Sequence, residues 1–493
     1  MRTIQRWFPL GLPFLALLLA VVLLPGGPVA SAEDAPTPAP GPAGAGGEPA
    51  MGEEELPSDD EELDIPTSLD LKIKKSIELG VKWLKQAQKP DGSWGLIKGN
   101  AVYGGGKNDP NDGQMPAGST ALALFTLLKC KVPHDDPIVK KGFNFLRSKY
   151  YTPGSAYEVS MLLLAVTATA DPFKKTKASV AQGERIKFPA GDWRSWAQKL
   201  HDVLLSKRQK AKKMGWRYNE TGHESQEPPG GNEDLSSTQM AALALLAAER
   251  CGIKTESRVW NDLITYAMKQ QEDEGPEWER SVYDRPPKDL DPKKLSDKDR
   301  ERYGPQGGAG DGGKAPKDHA RGYSYIKSSS LPADEGGATG GMTACGIGTI
   351  MMARYILMGR KDPLWEKRDQ AAVQKSIYDG CAWLDMHWNP FENPQKRSMN
   401  VYHIYYMYCI ERAFDLIGNQ KLGKHLWYLE MASQLTGRQS DKGFWNSNST
   451  HQPEEVLDTC FALLFLKRST KGGIPYGSIT GGGDEPPADN RGR

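Results

Sequence analysis

The stretch Leu71-Lys-Ile-Lys-Lys-Ser-Ile-Glu-Leu-Gly-Val-Lys-Trp-Leu84, followed after a turn by Ser119-Thr-Ala-Leu-Ala-Leu-Phe-Thr-Leu-Leu128, decides the fold. Its first half puts Ile73, Ile77, Val81 and Leu84 on one side and lysines 72, 74, 75, 82 and 85 on most of the rest. That is the pattern of a helix with one buried face. Gln88-Lys-Pro-Asp-Gly-Ser-Trp-Gly95 then breaks the helix at Pro90 and Gly92. The second half is apolar nearly all round and belongs inside the fold. An outer helix, a Trp-marked turn and an inner helix form one unit.

The unit repeats along the chain. Amphipathic helices are expected at 71–89, 137–150, 193–213, 257–271, 366–388 and 421–437, and apolar ones at 118–131, 156–170, 236–251, 341–358, 401–416 and 456–469. Strict alternation of six with six makes the chain all-α, an (α/α)6 toroid of six inner helices ringed by six outer ones. Its expected span is 68–470, with a charge-, Gly- and Pro-rich irregular insertion at 272–341 interrupting the fourth repeat. The turn recurs as Gly92-Ser-Trp94, Gly215-Trp-Arg-Tyr218, Gly322-Tyr-Ser-Tyr325 and Gly443-Phe-Trp445. Inner helices open with hydroxyls (Ser119-Thr120, Ser237-Thr238, Thr343, Thr459), read as caps for their first free amides. Lys129, Lys131, Arg250, Arg354, Arg412, Lys467 and Arg468 are read as cations suited to the far, negative ends.

Residues 1–32 read as a secretory signal: Arg2 and Arg6 precede the apolar run Phe8–Leu24, and Ala30-Ser-Ala32 offers a small-residue cleavage site. The alternative is an uncleaved anchor. Export, to the periplasm or beyond the cell, is the expectation, with no stable membrane span after cleavage. Residues 33–67 are Pro, Ala, Gly and acid, a disordered linker, and 471–493 a disordered tail. Of 493 residues, 63 are basic and 62 acidic, so a net charge of +1 gives no electrostatic case for nucleic acid. Six cysteines, at 130, 251, 345, 381, 409 and 460, are few for this length and mostly in apolar helical contexts, which argues against a disulfide scaffold.

The motifs Trp83-x4-Gln88-x3-Gly92-x-Trp94 and Leu435-x3-Gln439-x3-Gly443-x-Trp445 resemble the QW repeats of squalene–hopene cyclases and protein prenyltransferase β-subunits. Gly142-x2-Phe145 and Tyr266-x3-Gln270-x4-Gly275 look like degenerate copies. The chain also resembles exported bacterial proteins with such repeats and no assigned activity. The resemblance implies the toroid, with the repeats tying outer helices together, and makes an apolar or isoprenoid-like guest, or a protein partner, an expectation. Class II cyclases of the family protonate their substrate from the middle Asp of Asp-x-Asp-Asp-Thr. Here Asp234-Leu-Ser-Ser-Thr238 puts Ser236 and Ser237 at the acids, and Glu455-Val-Leu-Asp-Thr459 puts Leu457 at the donor. Neither serine nor leucine can protonate an alkene. The prenyltransferase zinc set of Asp-Gly-Cys and a later His has a counterpart in Asp379-Gly-Cys381 and His403, but Asp379 falls on an outer helix, so no metal and no other cofactor is expected.

Parallel inner helices bring six N-termini, each worth roughly half a positive charge, to one mouth. Tyr218, His223, Glu224, Asp234, Tyr323, Tyr325, His451 and Asp458 are expected near it, with Asp234 and Asp458 either dipole partners or catalytic acids. The fifth inner helix, Val401-Tyr-His-Ile-Tyr-Tyr-Met-Tyr-Cys-Ile-Glu-Arg412, carries four tyrosines, Tyr402 among them, and His403. Aligning Glu411-Arg412 with Glu249-Arg250 places His403 level with Ala241, and with Ala123, Gly346 and Ala462 elsewhere. There it either fills the cavity or works in it, its proton held near neutral pH. If the chain is an enzyme, an atypical cyclase or a polysaccharide lyase or hydrolase, His403 with Asp234 or Asp458 is the expected catalytic pair. Otherwise it is an exported, non-catalytic binding or scaffold toroid.

Overall fold

A computed structural model describes residues 65–94, 116–170, 187–210, 214–217, 233–283, 316–327, 337–395, 402–447 and 455–469. All of them fall in one compact unit, Glu55–Arg493. The signal at 1–32, the linker up to residue 64 and the tail at 471–493 lie outside the described residues.

The outer helices are α1 (Thr67–Gln86), α3 (Pro137–Lys149), α5 (Trp193–Lys210), α7 (Ser257–Lys269), α10 (Gln370–Met386) and α12 (Trp427–Arg438). The inner ones are α2 (Pro116–Lys129), α4 (Ala156–Ala168), α6 (Leu235–Arg250), α8 (Gly340–Gly359), α11 (His403–Ile417) and α13 (Glu455–Leu466). A short helix, α9 (Pro363–Glu366), precedes α10. Each inner helix packs on the next, and α13 returns to α2, closing a ring. Their apolar circumference is buried: every residue of α4 but Tyr157 and Glu158 is in the core. By length and composition α8 could cross a membrane, but it is mostly buried, packed by α6, α7, α10 and α11.

The recurring turn has one hydrogen-bond plan. The Trp94, Trp216 and Trp445 indoles donate to the carbonyls of Leu84, Leu204 and Leu435 on the preceding outer helices, at 2.7, 2.9 and 2.8 Å. Their backbone N–H groups donate to the hydroxyls of Thr120, Thr238 and Thr459, each at 3.0 Å. In the fourth repeat Tyr323 takes the Trp position, donating its N–H to Thr343 at 3.0 Å. The threonines therefore pin the turn to the inner helix, a role different from the expected capping of their own helix. The capping falls elsewhere: Ser155 accepts from Glu158 N, Asp234 from Ser237 N and Thr339 from Met342 N.

Gln88 donates to Gly92 O in its own turn and to Ile138 O at the start of α3, at 3.1 and 2.9 Å. Gln439 does the same with Gly443 O and with Ser76 O on α1, at 2.8 and 2.9 Å, and so closes the outer layer. In the degenerate copy the working glutamine is Gln271, one residue after the expected Gln270, donating to Arg321 O and Ser376 O at 3.0 and 2.9 Å. Gly92 and Gly443 have φ of +95° and +98° and sit against Lys141 O and Leu79 O, where a Cβ would be 2.5 Å away. Both the left-handed backbone and the close approach require glycine.

The insertion is not wholly irregular. Strands β1 (Glu277–Glu279) and β2 (Lys317–His319) pair antiparallel, Trp278 opposite Asp318, and pack on α10. Trp278 and Ser281 both donate to Asp385 on α10, at 2.8 and 2.9 Å, and Arg280 pairs with the buried Asp318 at 2.9 Å. The edges of the insertion thus clasp an outer helix; its middle lies outside the described residues.

Candidate functional site

The acids at the inner N-termini are held by backbone. Asp234 caps α6, accepting Ser237 N at 2.7 Å, and its own N–H donates to Trp216 O at 2.9 Å. Asp458, in the first turn of α13, accepts Ser447 N at 2.7 Å. Burial pushes both carboxyls up to about 6, against the pull of those hydrogen bonds. Tyr325 lies beside Asp234, and its carbonyl accepts Leu235 N at 3.0 Å. Tyr218, His223 and His451 lie outside the described residues.

Tyr323 is not at the mouth. Its ring is fully buried between layers, with the hydroxyl 2.7 Å from Ser376 Oγ on α10, and burial raises its ionisation well above the tyrosine range. Tyr402 is there: it precedes α11 in the left-handed conformation (φ 61°) and is exposed. Phe391 and Tyr151, on the loops entering α11 and α4, are exposed as well, Tyr151 stacked on Trp196.

His403 departs most from expectation. It is the first residue of α11, so counting from the helix start sets it level with Leu235 and not Ala241. Its Nε2–H donates to Pro390 O and its Nδ1 accepts from Arg438 on α12, both at 3.1 Å. With both nitrogens engaged by the outer layer, it pairs with neither Asp234 nor Asp458. Burial, then the Arg438 charge, pulls it down to about 4, so it is neutral at pH 7. Nor does the aligned position line a cavity in α8: Gly346 packs against the Tyr323 ring. Asp379 is fully buried, bound by Arg321 at 2.6 Å and Lys375 at 2.9 Å, away from any zinc role with His403. Among the described residues no group of three His, Cys, Asp or Glu is arranged for a metal.

The centre of the ring holds a cluster that sequence reasoning missed. Two contacts reach across α8 from α11 to α6: Tyr405 OH to Ser236 Oγ at 2.9 Å, and Arg412 Nη1 to Met240 Sδ at 3.1 Å. Arg412 is fully buried, its Nη2 is 3.2 Å from Cys409 Sγ, and its guanidinium lies 4.0 Å over the Tyr408 ring. Its Nε has no hydrogen-bond partner, nor has Gln239 Nε2. Cys345 Sγ is 3.5 Å from both Cys409 Sγ and Gln239 Oε1, and 3.6 Å from Tyr405 OH. The place of Arg412 in the sequence suggests a helix-end cation. But α11 runs on to Ile417, five residues past it, and is closed by Gly418 (φ 87°), so the charge sits inside the helix. That Gly was the signal available in the sequence.

Ring, Thr-pinned turns and Gln ties define an all-α (α/α)6 toroid. No family model matches the chain, and no curated protein matches it. Among solved structures it is similar to the apo type II terpene cyclase MstE from Scytonema, at 13% identity and TM-score 0.40, covering 81% of this chain and 97% of that one. It is likewise similar to the GH76A alpha-1,6-mannanase from Salegentibacter sp. HEL1_6, at 11% identity and TM-score 0.42, covering 81% of this chain and 99% of that one. At such scores and identities the likeness says nothing about what this chain binds or turns over.

Proposed function

We propose that this protein is an exported, non-catalytic toroid that binds an apolar, isoprenoid-like molecule or a protein partner at the mouth formed by the inner N-termini. The observation that carries the non-catalytic part is the side chain at the donor position, beside mouth acids that each have one oxygen held by backbone. Asp234 and Asp458 each accept a backbone N–H, and Ser236 and Leu457 stand where a proton donor would be. The binding part is supported by Tyr151, Phe391 and Tyr402, three of the five exposed large hydrophobic residues among the described residues, all on loops leading into inner helices. Flat aromatic faces there offer contact area at low entropic cost. The reading of export rests on Arg2, Arg6, the apolar run and Ala30-Ser-Ala32.

A second reading is favoured by one observation: two mouth carboxyls pushed up to about 6 have the character of general acids. Purified protein is titrated with geranylgeraniol and with squalene by tryptophan fluorescence, and incubated with squalene, a polyprenyl diphosphate and oligosaccharides. Saturable binding, weakened by Tyr402→Ala and Phe391→Ala and unaccompanied by product, is expected. Product that disappears in Asp234→Asn or Asp458→Asn would overturn the non-catalytic reading in favour of the second. Intact Met1 in a membrane fraction would overturn cleavage and release.

A further inference from the structure

A fully buried guanidinium needs an anion or an equivalent set of acceptors. The contacts of Arg412 are two sulfur atoms and a tyrosine face, and the groups bearing on its charge are Cys409, Tyr408, Tyr405 and Cys345. None is a carboxylate. Of these, the cysteine touching the guanidinium is the group whose ionisation costs least. We infer that Cys345 and Cys409 form a dithiol pair that oxidises to a disulfide, in which Arg412 holds Cys409 as the attacking thiolate.

Three facts support the assignment. The two sulfurs, on the adjacent packed helices α8 and α11, are 3.5 Å apart, with the Cys345 S–H donating to Cys409 Sγ. A disulfide shortens that separation to about 2.05 Å, between helices already in contact. Second, the two thiols are unequal. Burial opposes ionisation of both, but the hydrogen bond from Cys345 and the Arg412 charge bring Cys409 below the ordinary thiol range, whereas Cys345 is raised. An attacking thiolate beside a protonated partner is the arrangement thiol oxidation uses. Third, the other four cysteines are ordinary by contrast: burial raises Cys130, Cys251 and Cys460 to about 12 and Cys381 well above the thiol range, and among the described hydrogen bonds none of their sulfurs accepts from an arginine, Arg194 reaching only the backbone carbonyl of Cys251.

The oxidant is a small hydroperoxide, since both sulfurs are fully buried. Cys409 sulfur attacks one peroxide oxygen, the O–O bond breaks, and the departing oxygen takes up a proton and leaves as an alcohol, or as water from hydrogen peroxide. Cys409 is then a sulfenic acid. Cys345 sulfur attacks Cys409 sulfur, the S–O bond breaks, and the hydroxide takes the Cys345 proton and leaves as water. Two thiols and one hydroperoxide thus give one disulfide, one alcohol and one water.

The test uses the full chain, reduced, exposed while folded to hydrogen peroxide, then unfolded in an alkylating agent and mapped by mass spectrometry. One bond between Cys345 and Cys409 is expected, with Cys130, Cys251, Cys381 and Cys460 alkylated. In Cys345→Ser the product should become a dimedone adduct on Cys409, and in Cys409→Ser the remaining Cys345 should stay alkylatable. Arg412→Met, its fold checked by circular dichroism, should slow the reaction at least about tenfold, because the thiolate loses its counter-charge. If both cysteines are alkylated after peroxide in the folded wild type, the pair is not redox-active. If Cys345 is oxidised at the wild-type rate in Cys409→Ser, the assignment of the attacking sulfur falls.

Discussion

At Trp94, Trp216 and Trp445 each buried N–H of the turn residue has a partner in a repeated place: the indole on an outer-helix carbonyl, the amide on an inner-helix threonine. At the centre, Arg412 is buried as deeply but meets sulfur and a ring face, with Nε unpartnered. The first arrangement is a structural rule applied to several repeats. The second breaks that rule once, on one inner helix. A region built for stability should lose it when a partner is removed, whereas a region held for chemistry should not. Substitutions in the two places therefore separate the two purposes.

The largest loss is expected in the shell. Trp445→Ala removes a fully buried indole and its bond to Leu435 O, and should cost about 3–5 kcal/mol in urea unfolding. A loss below about 1 kcal/mol would deny the turn its structural role. Next is His403, also a shell contact, through Arg438. Its value falls from 6.5 to about 4 on folding, so the folded state binds fewer protons between those limits. The stability it contributes is complete above pH 6.5 and disappears as pH falls through 4, on the order of 3 kcal/mol in all. Asp234 and Asp458, raised to about 6, act oppositely, their contribution being complete below pH 3.8 and lost as pH rises through 6. Chemical denaturation of His403→Gln should lack the acid-side loss; identical pH profiles for variant and wild type would refute the argument.

Gln439→Ala comes third. It leaves Ser76 O and Gly443 O without their donor and should cost about 1–3 kcal/mol by the same assay. The smallest effect is expected at the centre. Arg412→Met replaces a buried charge with a hydrophobe of similar reach, and its sulfur partners become neutral thiols and thioethers with no stranded charge. The change should lie within about 1 kcal/mol of zero, or be a gain. A loss as large as that of Trp445→Ala would erase the contrast between shell and centre.

The shell was legible in the sequence because it repeats. Alternating amphipathic and apolar helices, and Gln and Trp at fixed spacing, placed all twelve helices, most within four residues of their bounds, with the last outer helix starting six residues later than expected, at Trp427. The centre was harder to read because it occurs once. Periodicity says that α11 is buried, yet it cannot say which of its polar residues face inward. Anchoring the alignment on Glu411-Arg412 shifted α11 against its neighbours, which drew attention to His403 and hid Arg412 as an end charge. Gln271 in place of Gln270, and the strands at the edges of the insertion, were missed for a related reason: pairings between segments far apart in sequence leave little local trace.

The tie from Gln439 to Ser76 joins positions 363 apart in the chain. During synthesis α1 therefore waits for α12 and α13 before its neighbours on both sides exist, and for most of translation the incomplete ring presents an open, apolar edge. Such an edge is where a nascent chain aggregates or recruits a chaperone, and closing it makes folding depend on contacts of long sequence separation. Once closed, the toroid has no first repeat: the break between its ends is only one of several places where the circle could be opened.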